Sequence, residues 1–504
     1  MTALKLFATA SLIALSAAVA AQAQELRIGL QSDADVLDPD QSRTFVGEIV
    51  FTSLCDKLVD ITPDLELVPQ LATQWSWSEA GDALTLKLRE GVTFHDGTQF
   101  NAEAVAYNIE RSQTLEESRR KSDLASVAGT DVLGPYEIRI NLTRPDAGIL
   151  SEMANRPGMM ISPTAAKAEG ANFGLAPVCS GPFQFADRVA QDRITLKAYP
   201  EYWNASEIHL DSVVFLPIPD TTVRLANLQS GDIQLLERLA ATDLTQVEGD
   251  DSLTIKKATS LGYQGITFNI DNGARGDNPW GNDKRLRQAF SYAIDRDVLN
   301  QVVFEGAFTP ANQPPAPSSP WFVSEYPAPA RDVEKAKSLL AEAGYPDGLT
   351  LEVQVPNTNE PMQLMQVIQA MASEAGIDVQ ITAKEFATML QDQTAGDFIA
   401  SQVGWSGYVD PSANLHQFVT TGGGINDAHY SNPEVDRLLN AARSTTDTTE
   451  RKSLYAQARA ILVDEAPLLY LYHPTWLWTM RRELSGFVPY PDGRIRLEGV
   501  RLDG

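Results

Sequence analysis

Between Glu25 and Leu261 the apolar residues come in short alternating runs: "LRIGL", "LTLKLREGVTF", "YEIRINL", "FQFADRVAQDRITLKAY" and "SVVFLPI". Each run is bounded by Gly, Pro, Asn or Asp, so the pattern predicts half-buried strands and hairpins. Past Gly262 the period changes. "DKRLRQAFSYAIDRD" predicts a helix capped by Asp283, and "RDVEKAKSLLAEAGYPDG" one capped by Asp332 and stopped at Gly344. "LTLEVQV", "PMQLMQVIQAMASEAG", "IDVQITA", "FATMLQDQTA" and "DFIASQVGW" then alternate strand and helix, which predicts an α/β lobe. Helices continue through "PEVDRLLNAARS" and "TTERKSLYAQARAILVDEA" before the apolar stretch "PLLYLYHPTWLWTM" and a β-like tail. The chain is expected to cross between lobes near Leu261 to Asn269 and near Leu471 to Met480. The proline-rich stretch 309–330 contains several aromatics and reads as a loop packed on a lobe rather than a linker.

The 504 residues exceed what one core usually serves, which also points to two or more lobes. The start of the chain carries Lys5, an apolar run from Leu6 to about Ala20, and Ala21-Gln22-Ala23. That is the layout of a cleaved secretory signal over residues 1–23, with no cysteine at the cleavage point to take a lipid. The run is short for a membrane anchor and has no basic flank on its far side. A soluble, exported chain is expected.

Forty basic and 66 acidic residues give a formal charge of -26, which repels nucleic-acid phosphates and anionic lipid. Two cysteines are present, Cys55 and Cys179. Export to an oxidising compartment favours their pairing over two buried thiols, because neither lies in a redox or metal motif.

Candidate chemistry is sparse. In "GVTFHDGTQFNAEAVAYNIER", His95 and Asp96 are a possible dyad, but neighbours on a strand face opposite ways and Asp96-Gly97 is a turn signal. Asn101 then caps a helix with Val105 and Ile109 on one face, so the segment reads as architecture. The other four histidines, His209, His416, His429 and His473, have neither the i,i+4 spacing nor the cysteines of a zinc site. "TTGGGIND" lacks the lysine of a phosphate loop, and no G-x-S-x-G elbow occurs. Neither metal, cofactor nor catalytic set is indicated. Trp405 and Tyr408, in "VGWSGYVDP", directly follow a predicted strand, where α/β lobes place ligand loops.

Taken in order, "LKLREGVTFHDGTQFNAEAVAYNIER", "CSGPFQF", "PIPDTTVRLANLQSGDI", "DKRLRQAFSYAIDRD", "DVEKAKSLLAEAGYPDG" and "GWSGYVDP" resemble the landmarks of family 5 extracytoplasmic solute-binding proteins. These are the binding components of ABC importers of the peptide, opine and nickel group. The resemblance covers nearly all of the mature chain. It implies a two-lobe periplasmic-binding-protein fold of type II, an α/β architecture with an extra β-rich subdomain. The first lobe would comprise 24–262 plus 475–504, with the subdomain at about 71–175, and the second lobe 263–474. It implies a periplasmic, monomeric receptor that closes on a small solute and hands it to an inner-membrane ABC permease.

Within that resemblance, the peptide-binding branches hold the ligand amino group with an aspartate three positions after the tryptophan, where this chain has Tyr408. The dipeptide branch holds the carboxylate with an arginine, where "VPNTNEPMQ" offers Asn357, Thr358, Asn359 and Glu360. Asp410 reads as a turn-shaping residue. The spacing from Trp405 to Asp410-Pro411 also resembles the nickel-chelate branch, whose ligand histidine has no counterpart. The expected ligand contacts are Trp405, Tyr408, Arg43, Tyr263, Asn357 and Asn359, and the loop aromatics and amides favour a neutral or cationic polar solute. An exported peptide or glycoside hydrolase and a sensory receptor are the rival readings.

Overall fold

The computed structural model describes residues 24–317, 319–445 and 447–503. The signal-like stretch 1–23 lies outside the described residues.

Two large sheets organise the chain. In the first, seven strands run in the order Leu253–Thr259, Thr475–Arg481, Leu235–Leu236, Glu25–Leu30, Ser212–Pro217, Arg193–Ala198 and Phe183–Val189. In the second, six run in the order Thr309–Pro310, Leu468–His473, Tyr263–Phe268, Ala400–Trp405, Leu349–Pro356 and Ile377–Lys384. Leu349–Pro356 pairs in parallel with both Ile377–Lys384 and Ala400–Trp405. Helices Asn359–Ser373 and Phe386–Ala395 make the crossovers that parallel pairing requires.

The chain passes from the first sheet to the second between Thr259 and Tyr263, and returns between His473 and Thr475. The two crossings are tied together. The Ser260 N–H donates to the Pro474 carbonyl at 2.9 Å, and His473 Nδ1 lies 2.8 Å from the Gly262 carbonyl. Glycine is required here by close approach: a Cβ on Gly262 would stand 1.9 Å from the Trp405 carbonyl oxygen. Gly407, at φ +83°, presses its Cα against Leu261 in the same way.

A third, four-stranded sheet, Ala72–Trp77, Ala83–Leu88, Glu137–Leu142 and Val127–Gly134, is antiparallel and has its own apolar core. Helix Ala102–Thr114 covers it, with Asn101 accepting from the Ala104 N–H at 2.9 Å and Val105 and Ile109 buried. Here the His95 question resolves. His95 Nε2 is 3.0 Å from the Gly181 carbonyl, while the Cys179 N–H donates to Nδ1 at 3.3 Å. Asp96 accepts instead from Thr98 and Ser162, so the pair forms no dyad and staples a turn to the segment carrying Cys179. Cys179 is disulfide-bonded to Cys55.

Several helices depart from the expected outline. The segment from Asp283 breaks at Ile294 into Lys284–Ala293 and Arg296–Phe304, because Asp295 caps the second helix by accepting from the Val298 N–H. Helix Phe45–Leu54 is nearly all buried and so carries no amphipathic signature. Helix Pro411–Val419 begins at Asp410, whose carboxylate accepts from the Ser412 N–H and hydroxyl.

Candidate functional site

A cavity of about 120 Å³ lies between the two sheets, with walls drawn from both sides. Strand Tyr263–Phe268 and strand Ala400–Trp405 pair with Tyr263 opposite Trp405, which brings both rings to the ends of adjacent strands. Trp405 is half-buried and donates through Nε1 to Asn414 Oδ1 at 3.0 Å. Its ring meets Phe418 edge-on at 5.0 Å, and Tyr263 lies 6.4 Å from the same Phe418. Together with Phe386 and Leu390 of helix Phe386–Ala395 these residues form an apolar shelf. Phe386 is exposed at the start of its helix.

The opposite wall is made by the loop before helix Phe45–Leu54 and by the subdomain. Asp35 fixes that loop, accepting from the Ser42 hydroxyl, the Arg43 N–H and the Thr44 hydroxyl. Burial works against the Asp35 charge, but those donors outweigh it and hold the carboxyl below the usual range. Arg43, so oriented, crosses the mouth of the cavity. Its guanidinium donates to Thr394 Oγ1 at 3.0 Å and lies 3.8 Å from the Asp427 carboxylate, both on the second-sheet side.

Three further arginines line the same wall: Arg119, Arg120 and Arg156. The Arg119 N–H is anchored to the Asp40 carbonyl at 2.8 Å. Arg120 pairs with Asp123 at 3.0 Å, and Arg156 donates to the Thr44 carbonyl at 2.7 Å with Glu48 at 3.5 Å. Behind them Arg111 pairs with Asp38 and Asp40, locking the loop 38–43 to the subdomain. Burial would push the Glu48 carboxyl up, yet Arg156 and Arg494 together hold it below its ordinary value.

Of the six expected contacts, the structure brings Arg43, Tyr263 and Trp405 to one cavity. Tyr408 is buried and lines a separate hollow of about 460 Å³ on the far side of the Trp405 turn, beside Leu261, Trp321 and Pro491. Asn357 and Asn359 are exposed where strand Leu349–Pro356 passes into helix Asn359–Ser373, away from either hollow. The loop that suggested a neutral or cationic solute stands beside a wall of four arginines, three of them paired with acids: Arg43 with Asp427, Arg120 with Asp123 and Arg156 with Glu48. Sequence reasoning missed Arg119, Arg120 and Arg156. The one signal for Arg119 and Arg120 was "SRRK", a basic cluster in a strongly acidic chain, and Arg156 had none. Among the described residues no group of three or more His, Cys, Asp or Glu side chains forms a metal site.

Residues 66–426 match the model of "Bacterial extracellular solute-binding proteins, family 5 Middle". The chain belongs to the family 5 solute-binding proteins. A glutathione-binding protein, GsiB, of Pectobacterium atrosepticum is 30% identical over 492 residues, covering 95% of this chain and 94% of the relative. Among solved structures, a dipeptide-binding protein from Pseudoalteromonas sp. SM9913 in complex with Met-Leu superposes at a TM-score of 0.88. It is 24% identical and covers 95% of this chain and 100% of its own. AgaA of A. tumefaciens R10, in complex with agropinic acid, superposes at 0.86 with 22% identity, covering 95% and 98%. These likenesses establish the two-lobe α/β fold of extracytoplasmic solute-binding proteins. Among the described residues no helix is long and apolar enough to cross a membrane.

Proposed function

We propose that this family 5 protein is the periplasmic receptor of an ABC importer, capturing a peptide-like or similar small polar organic solute and delivering it to the permease. One observation carries the reading: a cavity walled by both lobes is spanned by Arg43, which reaches Thr394 and Asp427 across the gap. A solute there touches both lobes only when they are closed, so binding and closure are one equilibrium. The first lobe is taken as 24–262 plus 475–504 with a subdomain at about 71–175, and the second as 263–474. Residues 1–23 act as a cleaved signal, and the protein works as a monomer.

Arg43, Tyr263 and Trp405 are the proposed ligand contacts among the expected six. Tyr408 acts at one remove, backing the Trp405 turn through an edge-on ring contact at 5.2 Å, and Asn357 and Asn359 are not among the proposed contacts. No reaction is assigned, since His95 and Asp96 are committed to the turn. The test is calorimetry against short peptides and glutathione, with scattering before and after addition. One solute bound per chain, contraction of the radius of gyration, and recovery of the solute unchanged support the receptor. Hydrolysed product contradicts it.

A further inference from the structure

The cavity wall is out of balance in charge. Arg43, Arg119, Arg120 and Arg156 face it, and Asp427 is the only acid among the lining residues. Asp427 is already engaged by Arg43. Asp123 and Glu48, behind the wall, offset Arg120 and Arg156, but Glu48 is shared with Arg494 at 2.7 Å. Arg119 makes no ion pair among the described residues. The Nε atoms of Arg120 and Arg156 are buried without a hydrogen-bond partner. A buried N–H of a charged group left unmatched is costly, and an anion among the guanidinium groups would satisfy both donors. The crowding shows in Arg43 itself: burial lowers its basicity, Asp427 opposes that, and both Arg119 and Arg120 add to the lowering.

The same inventory bears on nitrogen. A primary ammonium needs a carboxylate or several carbonyl acceptors in a low-dielectric site. The one acid on the wall is spoken for, and the facing shelf of Trp405, Phe418 and Phe386 is apolar. The chain as a whole is strongly acidic, so the local excess of arginine is placed rather than a by-product of composition.

We infer that the site takes a net-negative solute, an amino diacid or acidic peptide whose nitrogen is acylated or alkylated, rather than a zwitterionic or cationic peptide. The acidic groups meet Arg119, Arg120 and Arg156, and the masked nitrogen and its substituent rest on the Trp405 shelf. This rests on the receptor reading and specifies its cargo.

The test is calorimetry with a matched panel: N-acetyl-Ala-Glu, Ala-Glu, Ala-Gln, Ala-Lys, and the simple diacids succinate and glutarate, with wild type and Arg119→Met. Arg119 is exposed, so its replacement leaves the fold intact. N-acetyl-Ala-Glu is expected to bind at least tenfold more tightly than Ala-Gln or Ala-Lys, to exceed Ala-Glu, and to lose at least tenfold in Arg119→Met and in raised salt. Equal or tighter binding of Ala-Gln or Ala-Lys overturns the charge assignment and leaves the receptor reading standing. Parity between Ala-Glu and its acetylated form overturns the masked nitrogen. Binding of succinate or glutarate alone keeps the charge assignment and removes the peptide-like cargo, and binding of none of the six contradicts both.

Discussion

Asp146 of the subdomain and Arg443 of helix Pro433–Ser444 meet at 2.7 Å with both side chains buried, joining the lobes at a point remote in sequence from either crossing. The Ala147 N–H also donates to the Arg443 carbonyl at 2.8 Å, so the contact is a clasp of backbone and charge together. Removing one partner of a buried pair strands the other at a cost of about 3–5 kcal/mol. Because the pair spans the lobes, that cost falls on the closed state. Asp146→Ala is therefore expected to enlarge the radius of gyration and to raise the Kd of any bound solute at least tenfold, as read by scattering and calorimetry. Unchanged values in both would show that the clasp does not hold the lobes.

The hinge depends on two glycines that interlock crossing and ligand turn. A Cβ on Gly407 would stand 2.2 Å from the Leu261 carbonyl carbon, and φ there is +83°. Gly407→Ala carries both the strain of a left-handed backbone and a backbone clash. We expect a loss on the order of 2–4 kcal/mol, seen as a lower Tm, with the Trp405 fluorescence environment altered. A variant with wild-type Tm would mean that the turn has room to shift.

Asp56 supplies a pH signature. Burial pushes its carboxyl up to about 7, although Trp203 Nε1–H and the Tyr202 hydroxyl both donate to it. The folded protein thus holds a proton that the unfolded chain releases near pH 4. The resulting stabilisation is complete below about pH 4 and is lost as pH rises through about 7. Asp56→Asn does not titrate. The stability of wild type relative to Asp56→Asn should therefore fall by about 1–4 kcal/mol between pH 4 and 7, measured by denaturant unfolding. A constant difference across that window contradicts the assignment.

The disulfide Cys55–Cys179 closes a loop of sequence separation 124, linking the end of helix Phe45–Leu54 to the segment that His95 grips. In the chain-entropy picture a loop of that size stabilises by about 4–5 kcal/mol. Cys55→Ala with Cys179→Ala should lower Tm by several degrees while leaving solute stoichiometry at one per chain. Equal Tm values for variant and wild type would remove the bond from the stability of the fold.

Much of the α/β alternation after Gly262 was legible because caps and stops are local: Asp332 accepts from the Lys335 N–H, and Gly344 sits at φ +97°. The helices that escaped, Phe45–Leu54 and Pro411–Val419, are buried almost throughout, which erases the 3.6-residue contrast between faces. The site was half legible. Trp405 and Tyr263 are found from strand ends, which sequence pattern marks. Arg119, Arg120 and Arg156 reach the cavity only because Arg111, Asp38 and Asp40 dock the subdomain against the loop at Arg43, a relation between distant segments with no periodicity to reveal it. Tyr408 shows the converse limit. Three residues beyond Trp405, the chain has turned through Gly407 and Tyr408 lines another hollow.

A solute resting against Trp405 beneath Arg43 should leave the cell with the protein. Native mass spectrometry of wild type and Trp405→Ala, each isolated from the periplasm of its own cell, reads this. A discrete added mass is expected, one small molecule per wild-type chain, that is absent from a folded Trp405→Ala. Retention of the same mass by Trp405→Ala, or a bare chain in both, would contradict it.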